Sequence, residues 1–495
     1  MKTFILAFLL LLSCCLLRAQ CPVGNVVLTS QNEVNAFYAN WPQCDTIHGD
    51  LFIGKATENS NIASVVALSR IKHIDGSLYV WRNSNLIRLS GLHNLQQTGK
   101  HISIEKNPRL ITLGNLSNLK TIGDSLDVSD NDQLTDFGAL DQLDTIKGNV
   151  NIRNNSSLTD YFGFDELNYI GGSLNIEQNY YLTSLNGLNQ LTFIGKDLRI
   201  SENVLLSDLG GLEGLDTVAG RLMIVNTPAI SNLVGLGGLS YTEELILQGN
   251  IGLEALEGMG AAVVGRAIRI AGNYSLTNLS DLELFDGFRG DLYIGLSALP
   301  DLSGLAGMDS LRSLKLVENL NLVSLAGLET LTALDSSLVI RDNPLLNDLS
   351  ALNHAIWFGG DELVIAENDL LSDCAVQAVC EWLAGQDILN LDISNNRDGC
   401  QNRAEVEEAC LDKNITETMI LLSPNPFSNV LEIHINTPYE AATMRLWDIS
   451  GRILHQATFT RHREFDLSVL SPGVYIIEIQ FDGQLIVKRV VKGRI

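Results

Sequence analysis

The chain has 495 residues and a formal net charge of −25, with few aromatic residues (6%) and 42 glycines. This length exceeds what one hydrophobic core usually needs, so several domains or a repeat array are expected. The acidity disfavours binding to nucleic acid or to anionic lipid head groups, because both carry phosphate charge.

Residues 1–19 are predicted to be a signal peptide. A basic residue precedes an apolar run from Phe4 to Leu12, which is too short to span a bilayer, and Leu17-Arg18-Ala19 is suited to cleavage. A lipoprotein signal at Leu11-Leu12-Ser13-Cys14 is the alternative. It ranks lower because Cys15-Leu16-Leu17 would replace the usual polar tether. No later segment is long and apolar enough for a membrane helix, so no transmembrane segment is expected.

Residues 20–48 are predicted to form an N-terminal cap. Ser30-Gln31-Asn32-Glu33 has the pattern of a capping box, and Val34 and Phe37 mark the inner face of a short helix. Without the signal peptide six cysteines remain, in two clusters at the two ends of the repeats: Cys21, Cys44, Cys374, Cys380, Cys400 and Cys410. An even count in an exported chain favours disulfides, and the spacing does not fit a zinc ribbon.

Residues 49–370 repeat one short unit about every 24 residues. Each unit opens with two apolar residues that flank a variable one, and these openings begin at Leu51, Leu78, Ile102, Leu126, Val150, Leu174, Leu198, Leu222, Leu245, Ile268, Leu292, Leu314, Leu338 and Leu363. Glycine interrupts the following segments before they reach the length of a helix. A single coil cannot bury its own leucines, so the repeat predicts a stack of parallel coils.

An asparagine recurs three residues after the second apolar position of most units. These residues are Asn83, Asn107, Asn131, Asn155, Asn179, Asn203, Asn250, Asn273, Asn319, Asn343 and Asn368. Asparagine tolerates left-handed backbone, and its amide bonds to neighbouring backbone, which suits a sharp corner. We interpret the series as a structural Asn ladder in which each side chain bonds to the next coil.

Residues 371–413 are predicted to form a C-terminal cysteine cap. A helix is expected around Cys374–Leu383, a last strand at Leu389–Ile393 and a further helix from Ala404 to Cys410. The four cysteines of this cap allow three pairings, and the sequence does not choose among them.

The opening CPVGNVVLTSQNEVNAF and the repeated I-G-x-L-x-I-x-x-N-x-x-L-x-x-L-x-G-L resemble bacterial receptor L-domain-like and leucine-rich-repeat surface proteins over residues 21–410. The resemblance implies an all-β, right-handed β-solenoid that serves binding or adhesion, and it carries over no ligand or catalytic residue. The units from Leu222 to Leu314 depart from the pattern, because Asn226 stands one place early and Ser297 replaces the ladder asparagine.

Residues 420–495 change to longer alternating strands, such as Leu431–Ile435 and Val474–Ile479, which predicts a small β-sandwich. The motifs of this segment resemble the C-terminal sorting domain of the type IX secretion system. The residues that carry the motif are Pro424, Asn425, Pro426, Gly473, Tyr475 and Lys488. The resemblance implies export across the outer membrane of a Gram-negative bacterium, usually with removal of the tail. A sandwich with its own binding role is the alternative.

The sequence contains no motif for a metalloprotease, a nucleophile elbow or a phosphate loop. The acidic corner at Asp127, Asp130 and Asp132 is interpreted as a solvated turn rather than a Ca²⁺ site. No enzymatic activity, cofactor or metal is therefore predicted.

We expect a secreted or outer-membrane-surface binding solenoid, whose partners are the type IX machinery and an unidentified extracellular protein or glycan. The predicted contact face comprises outward residues of the coils: Tyr79, Trp81, Arg199, Met223 and Tyr293. A β-helix enzyme of the polysaccharide-lyase type is the alternative. It is disfavoured because the outward residues do not suggest an acid–base cluster.

Overall fold

A computed structural model describes residues 21–493, apart from gaps at 139, 261, 281, 283–286, 358–361, 386–388, 413–418, 424–426, 428, 437–440, 449–451, 461 and 482–483. The predicted signal peptide therefore lies outside the described residues, as do Pro424, Asn425 and Pro426 of the sorting motif.

The main column of parallel strands follows the predicted unit openings. Its strands are Val26–Leu28, Leu51–Gly54, Leu78–Trp81, Ile102–Glu105, Leu126–Ser129, Val150–Arg153, Leu174–Glu177, Leu198–Ser201, Thr217–Val225, Tyr241–Gln248, Val263–Ala271, Asp291–Gly295, Ser310–Val317, Ala333–Arg341, Glu362–Ala366 and Asn390–Ser394. Leu174 pairs with Val150 on one side and Leu198 on the other, so equivalent residues of successive coils lie in register. The chain therefore forms a parallel β-solenoid of about 15 turns, as predicted.

A second column of two-residue strands runs beside the first. Its members are Thr46–Ile47, His73–Ile74, Gln97–Thr98, Thr121–Ile122, Thr145–Ile146, Tyr169–Ile170, Phe193–Ile194 and, near the other end, Ile356–Trp357. From Thr217 onward both columns merge in several coils into single strands of eight or nine residues. The register of the merged strands shifts where the two columns join, for example between Val218 and Arg221.

The core of the solenoid is a stack of leucine layers. Leu174 and Ile176 point inward from the strand, and the apolar residues that follow the corner are also buried: Leu182, Leu185, Leu188, Leu191 and Ile194. Gly187 makes the bend among them with a φ of +108°, and a Cβ there would lie 2.1 Å from the Tyr161 carbonyl oxygen of the neighbouring coil. Only glycine permits this close approach.

Every asparagine of the predicted ladder is fully buried. Asn155 shows the pattern of bonds: its Nδ2 donates to the Val128 carbonyl at 3.0 Å, and its Oδ1 accepts from the Asn131 backbone N–H at 3.2 Å. Asn396 adds a last rung, since its Oδ1 accepts from the Asn368 N–H at 3.0 Å. The ladder thus joins most coils to their neighbours through side-chain amides.

The left-handed backbone was expected at the ladder asparagines, but it lies one residue earlier. Asn154, Gln178 and Glu202 have φ values of 54°, 55° and 57°. Two successive residues therefore divide these roles. The first adopts the left-handed backbone of the corner, and the second supplies the side-chain amide that bonds to the next coil. Asn226 accordingly occupies a corner position with a φ of 52°, and the buried Thr227 takes the ladder position in that coil.

The N-terminal cap has the expected helix at Gln31–Asn40. The Ser30 hydroxyl accepts from the Glu33 N–H at 3.4 Å and the Glu33 carboxylate accepts from the Ser30 N–H at 3.0 Å, which completes the capping box. Val34 is buried on the inner face, and a disulfide joins Cys21 to Cys44.

The C-terminal cap contains helices Gln377–Gly385 and Arg403–Asp412, close to the predicted positions. Disulfides Cys374–Cys400 and Cys380–Cys410 resolve the pairing that the sequence left open. Short 3-10 turns occur at Val66–Leu68, Ser303–Leu305 and Ser350–His354. Within the described part of the chain, no helix has the length and apolar character needed to span a membrane.

The tail forms two antiparallel sheets. One contains Met419–Ser423, Val430–Asn436 and His462–Asp466, and the other contains Ala442–Trp447, Ile453–Phe459, Gly473–Phe481 and Gln484–Lys492. Residues from both sheets, such as Ile433 and Ile477, share a second hydrophobic cluster. This arrangement is the predicted small β-sandwich.

Candidate functional site

The exterior face of the main strand column is the candidate functional site. In strand Leu78–Trp81, Leu78 and Val80 are fully buried while Tyr79 and Trp81 point away from the core. Because the coils stack in register, each outward residue lies beside its equivalents in the neighbouring coils. The exterior face therefore presents continuous columns of side chains.

Three rings form an aromatic cluster near the N-terminal end of this face. The rings of Phe52 and Tyr79 stack with centroids 4.6 Å apart, and Trp81 lies 4.6 Å from Tyr79. The Trp81 Nε1–H donates to the Ser103 hydroxyl at 2.6 Å, which holds the indole in place. All three rings are half-buried, so they offer fixed apolar faces to a ligand.

The middle of the exterior face is polar and internally bonded. The Asn175 amide donates to Asn151 at 2.6 Å, and Asn151 bonds in turn to Asp127. Arg199 forms an ion pair with Glu177 at 2.6 Å. These groups satisfy one another across coils, and Arg199 is therefore not a free cation on the face.

Met223 was predicted to belong to an exposed column, and this assignment is wrong. Its relative exposure is only 7%. Its register neighbours are Arg199 and Ile246, whose long side chains flank it in the adjacent coils. An outward position therefore does not ensure exposure where both neighbours are large.

A charged groove lies on the same face beyond Met223. It consists of two adjoining cavities of about 200 and 520 Å³ that share Arg269, Asp291 and Tyr293. Small side chains line it, including Ala267, Ser313 and Ser337. The groove forms where these small residues leave space between longer ones.

The charged groups in the groove are held by one another. The Arg269 guanidinium lies 5.2 Å from the centre of the Tyr293 ring, and Lys315 Nζ lies 2.6 Å from a Glu362 oxygen. The bond from Lys315 lowers the pKa of Glu362, so this carboxylate stays ionised at neutral pH. Arg312 likewise forms an ion pair with Asp291.

The lining of the groove contains four basic residues, Arg266, Arg269, Arg312 and Lys315, against three acidic ones, Glu244, Asp291 and Glu362. This small positive excess contrasts with the net charge of −25 of the whole chain. Paired charges, hydroxyls and one aromatic ring suit a ligand rich in hydroxyl or anionic groups.

The predicted contact face includes Tyr293 but misses Arg269 and Lys315, which flank it in the same column. A sequence signal for both exists, since each stands between two inward apolar residues as Tyr79 does, in Ile268-Arg269-Ile270 and Leu314-Lys315-Leu316. The sequence predicts no cluster of acidic and basic residues on the outward face, but charged side chains do cluster in this groove. Of the five predicted contact residues, Tyr79 and Trp81 lie in the aromatic cluster and Tyr293 lies in the charged groove. Arg199 lies between these regions, paired with Glu177, and Met223 is buried.

The described sorting-motif residues lie on one hairpin of the tail. Gly473 begins strand Gly473–Phe481, and Tyr475 is buried with its hydroxyl donating to the Ser471 carbonyl at 2.5 Å. Lys488 lies on the partner strand, opposite Ile477. Gly473, Tyr475 and Lys488 therefore lie on two paired strands, Gly473–Phe481 and Gln484–Lys492.

Comparison with known proteins identifies the tail. The family model described as secretion system C-terminal sorting domain matches residues 422–493. The predicted sorting domain is thereby confirmed. No curated protein matches the chain.

Proposed function

We propose that this protein is an exported binding or adhesion protein that contacts its ligand through the exterior face of the solenoid. The observation that carries the proposal is the presence of the aromatic cluster and the charged groove on one in-register sheet face. The sorting domain supports delivery of this face to the cell surface or the medium. The short-strand repeats and disulfide caps further support assignment of the solenoid to the receptor L-domain-like or leucine-rich-repeat class.

An extended glycan is the ligand class that we favour. Tyr79 and Tyr293 are nine coils apart in one column, which corresponds to roughly 40 Å at the usual strand spacing. Only a ligand at least this long contacts both regions at once. Aromatic rings pack against the apolar faces of sugars, and the paired charges of the groove bond to hydroxyl and carboxylate groups. An extracellular protein is the alternative ligand.

A binding role accounts for the groove better than catalysis. A general acid at neutral pH needs a raised pKa, whereas Lys315 lowers the pKa of Glu362. Lys315 is itself held in this ion pair, with Nζ 2.6 Å from a Glu362 oxygen, so its amine is occupied by a carboxylate rather than directed at a substrate. A lyase-type enzyme remains the second candidate because Arg269, Tyr293 and Lys315 lie in one cavity.

We expect replacement of Tyr79 and Trp81 together by alanine to weaken glycan binding by roughly tenfold to a hundredfold, because central aromatic residues dominate binding energies. Candidate ligands are first identified on a glycan array, and affinities are then measured by calorimetry. The matched control is Tyr169→Ala with Phe193→Ala, which removes a stacked pair (centroids 5.2 Å apart) from the second strand column. Equal loss in both variants, or release of unsaturated sugars by the wild-type protein, contradicts the proposal.

Export by the type IX system predicts that the tail directs passage across the outer membrane. In the producing bacterium, we expect the surface or secreted form to lack the segment matched as a sorting domain, residues 422–493. Deletion of that segment is expected to retain the solenoid inside the cell envelope. Mass spectrometry of the surface protein measures the C-terminus directly. A surface form that retains residue 495, or unchanged export of the deletion variant, argues against this route.

A further inference from the structure

Two histidines face each other on the outer side of the tail sandwich. His434 in strand Val430–Asn436 pairs directly with His462 in strand His462–Asp466, and their ring centroids are 3.9 Å apart. Glu432 precedes His434 by two residues and therefore points to the same side, while Leu431 and Ile433 are buried on the other side. Strand alternation and register thus place two imidazoles and a carboxylate together.

The ligand atoms of Glu432, His434 and His462 all lie within 4.8 Å of one another. Glu432 and His434 are half-buried, and His462 is exposed, so the group opens to solvent on one side. One side of the group is open, so a single ion from solvent can reach all three ligand atoms.

The residues next to the histidines point to a cation. Glu464 lies directly opposite Glu432 in the strand pair. Two carboxylates in directly opposed positions of a sheet repel each other. A bound cation between the strands offsets this repulsion, which a purely structural pair of histidines does not.

We propose that Glu432, His434 and His462 bind a divalent transition metal of the zinc class and so clamp strand Val430–Asn436 to strand His462–Asp466 in the sorting domain. Two imidazoles and one carboxylate suit Zn²⁺ and similar borderline ions, whereas Ca²⁺ and Mg²⁺ prefer sets made of oxygen ligands. A water molecule or the Glu464 carboxylate supplies the fourth ligand of a tetrahedral site. The metal holds the two strands together while the tail is still attached to the solenoid.

Calorimetric titration of ZnCl₂ into the metal-stripped protein with its tail attached tests the proposal. We expect about one equivalent bound by this site, and a rise in the unfolding midpoint of the tail of roughly 5 °C. His462→Ala is expected to weaken Zn²⁺ binding by roughly tenfold or more and to abolish the thermal shift. His462 is exposed, so its replacement removes no core contact.

His48→Ala is the control, because His48 also contacts a carboxylate, Asp75, at 2.9 Å but belongs to no group of three such ligands among the described residues. Zn²⁺ binding is expected to be unchanged in that variant. Co²⁺ substitution gives an independent readout, since its visible absorption reports nitrogen and oxygen ligands and should disappear in His434→Ala. Equal Zn²⁺ affinity and equal thermal shift in the wild type and His462→Ala overturn the proposal.

Discussion

Replacement of Asn155 by alanine is expected to lower the free energy of unfolding by about 3–5 kcal/mol, because it leaves two buried backbone groups without these partners. Those groups are the Val128 carbonyl, which accepts from Asn155 Nδ2 at 3.0 Å, and the Asn131 N–H, which donates to Asn155 Oδ1 at 3.2 Å. Asn155 is fully buried, so water is not in place to substitute for the amide. Urea unfolding followed by circular dichroism measures the loss.

Asn151→Ala is the matched control for this prediction. Asn151 lies in the same coil, but its amide points outward and bonds to Asn175 and Asp127 on the exterior face. Its removal is expected to cost less than about 1 kcal/mol, as is usual for surface positions. If the ladder stabilises the stack of coils, the loss in free energy of unfolding is clearly larger for Asn155→Ala than for Asn151→Ala. Equal losses for Asn155→Ala and Asn151→Ala count against it.

Natural interruptions show how the ladder tolerates a shorter side chain. At Ser297 the hydroxyl donates to Asn319 Oδ1 at 2.8 Å, and at Thr227 the backbone N–H donates to Asn250 Oδ1 at 3.0 Å. Each position keeps its bond toward the following coil. A hydroxyl is too short to bond to the coils on both sides, as an asparagine amide does. Ser297 and Thr227 each have asparagine at the ladder position of the coils before and after them.

The repeats and their caps were predictable because stacking imposes the same demands on every coil. Leu174 and Ile176 must face inward, and the ladder position must supply an amide, so both recur at a fixed spacing. The capping box at Ser30 and Glu33 is a local pattern that the sequence displays directly. The pairing of Cys374 with Cys400 was not predictable, since it depends on how the end of the chain folds over the last coil.

The candidate site was only partly predictable, because it depends on contacts between coils rather than within one. Tyr79 and Trp81 stand out in the sequence as outward aromatic residues, and they form the aromatic cluster. The charged groove needs small residues such as Ser313 and Ser337 beside long ones, and it needs Lys315 to reach Glu362, which is 47 positions further along the chain. Met223 failed as a prediction for the same reason, because its neighbours decide its exposure.

The last strand of the solenoid, Asn390–Ser394, pairs with Glu362–Ala366 on one side, and the cap with the Cys374–Cys400 disulfide lies at this end. Both cysteines are fully buried in the main core. Asn396, the final rung, donates to the Ile365 carbonyl at 2.7 Å and to the Cys400 carbonyl at 3.0 Å. The disulfide thus fixes the segment that covers the last rung of the ladder.

Replacement of Cys374 and Cys400 together by alanine is expected to lower the free energy of unfolding by about 3–4 kcal/mol, since the bond closes a loop with a sequence separation of 26 residues. Hydrogen exchange should show the loss first in the coils nearest the cap, from strand Ala333–Arg341 to strand Asn390–Ser394, because each repeat contacts only its neighbours. Cys21→Ala with Cys44→Ala is the control and should loosen only the opposite end. Uniform loss of protection along the solenoid in either variant would mean that the stack unfolds as one unit, and that the caps do not act locally.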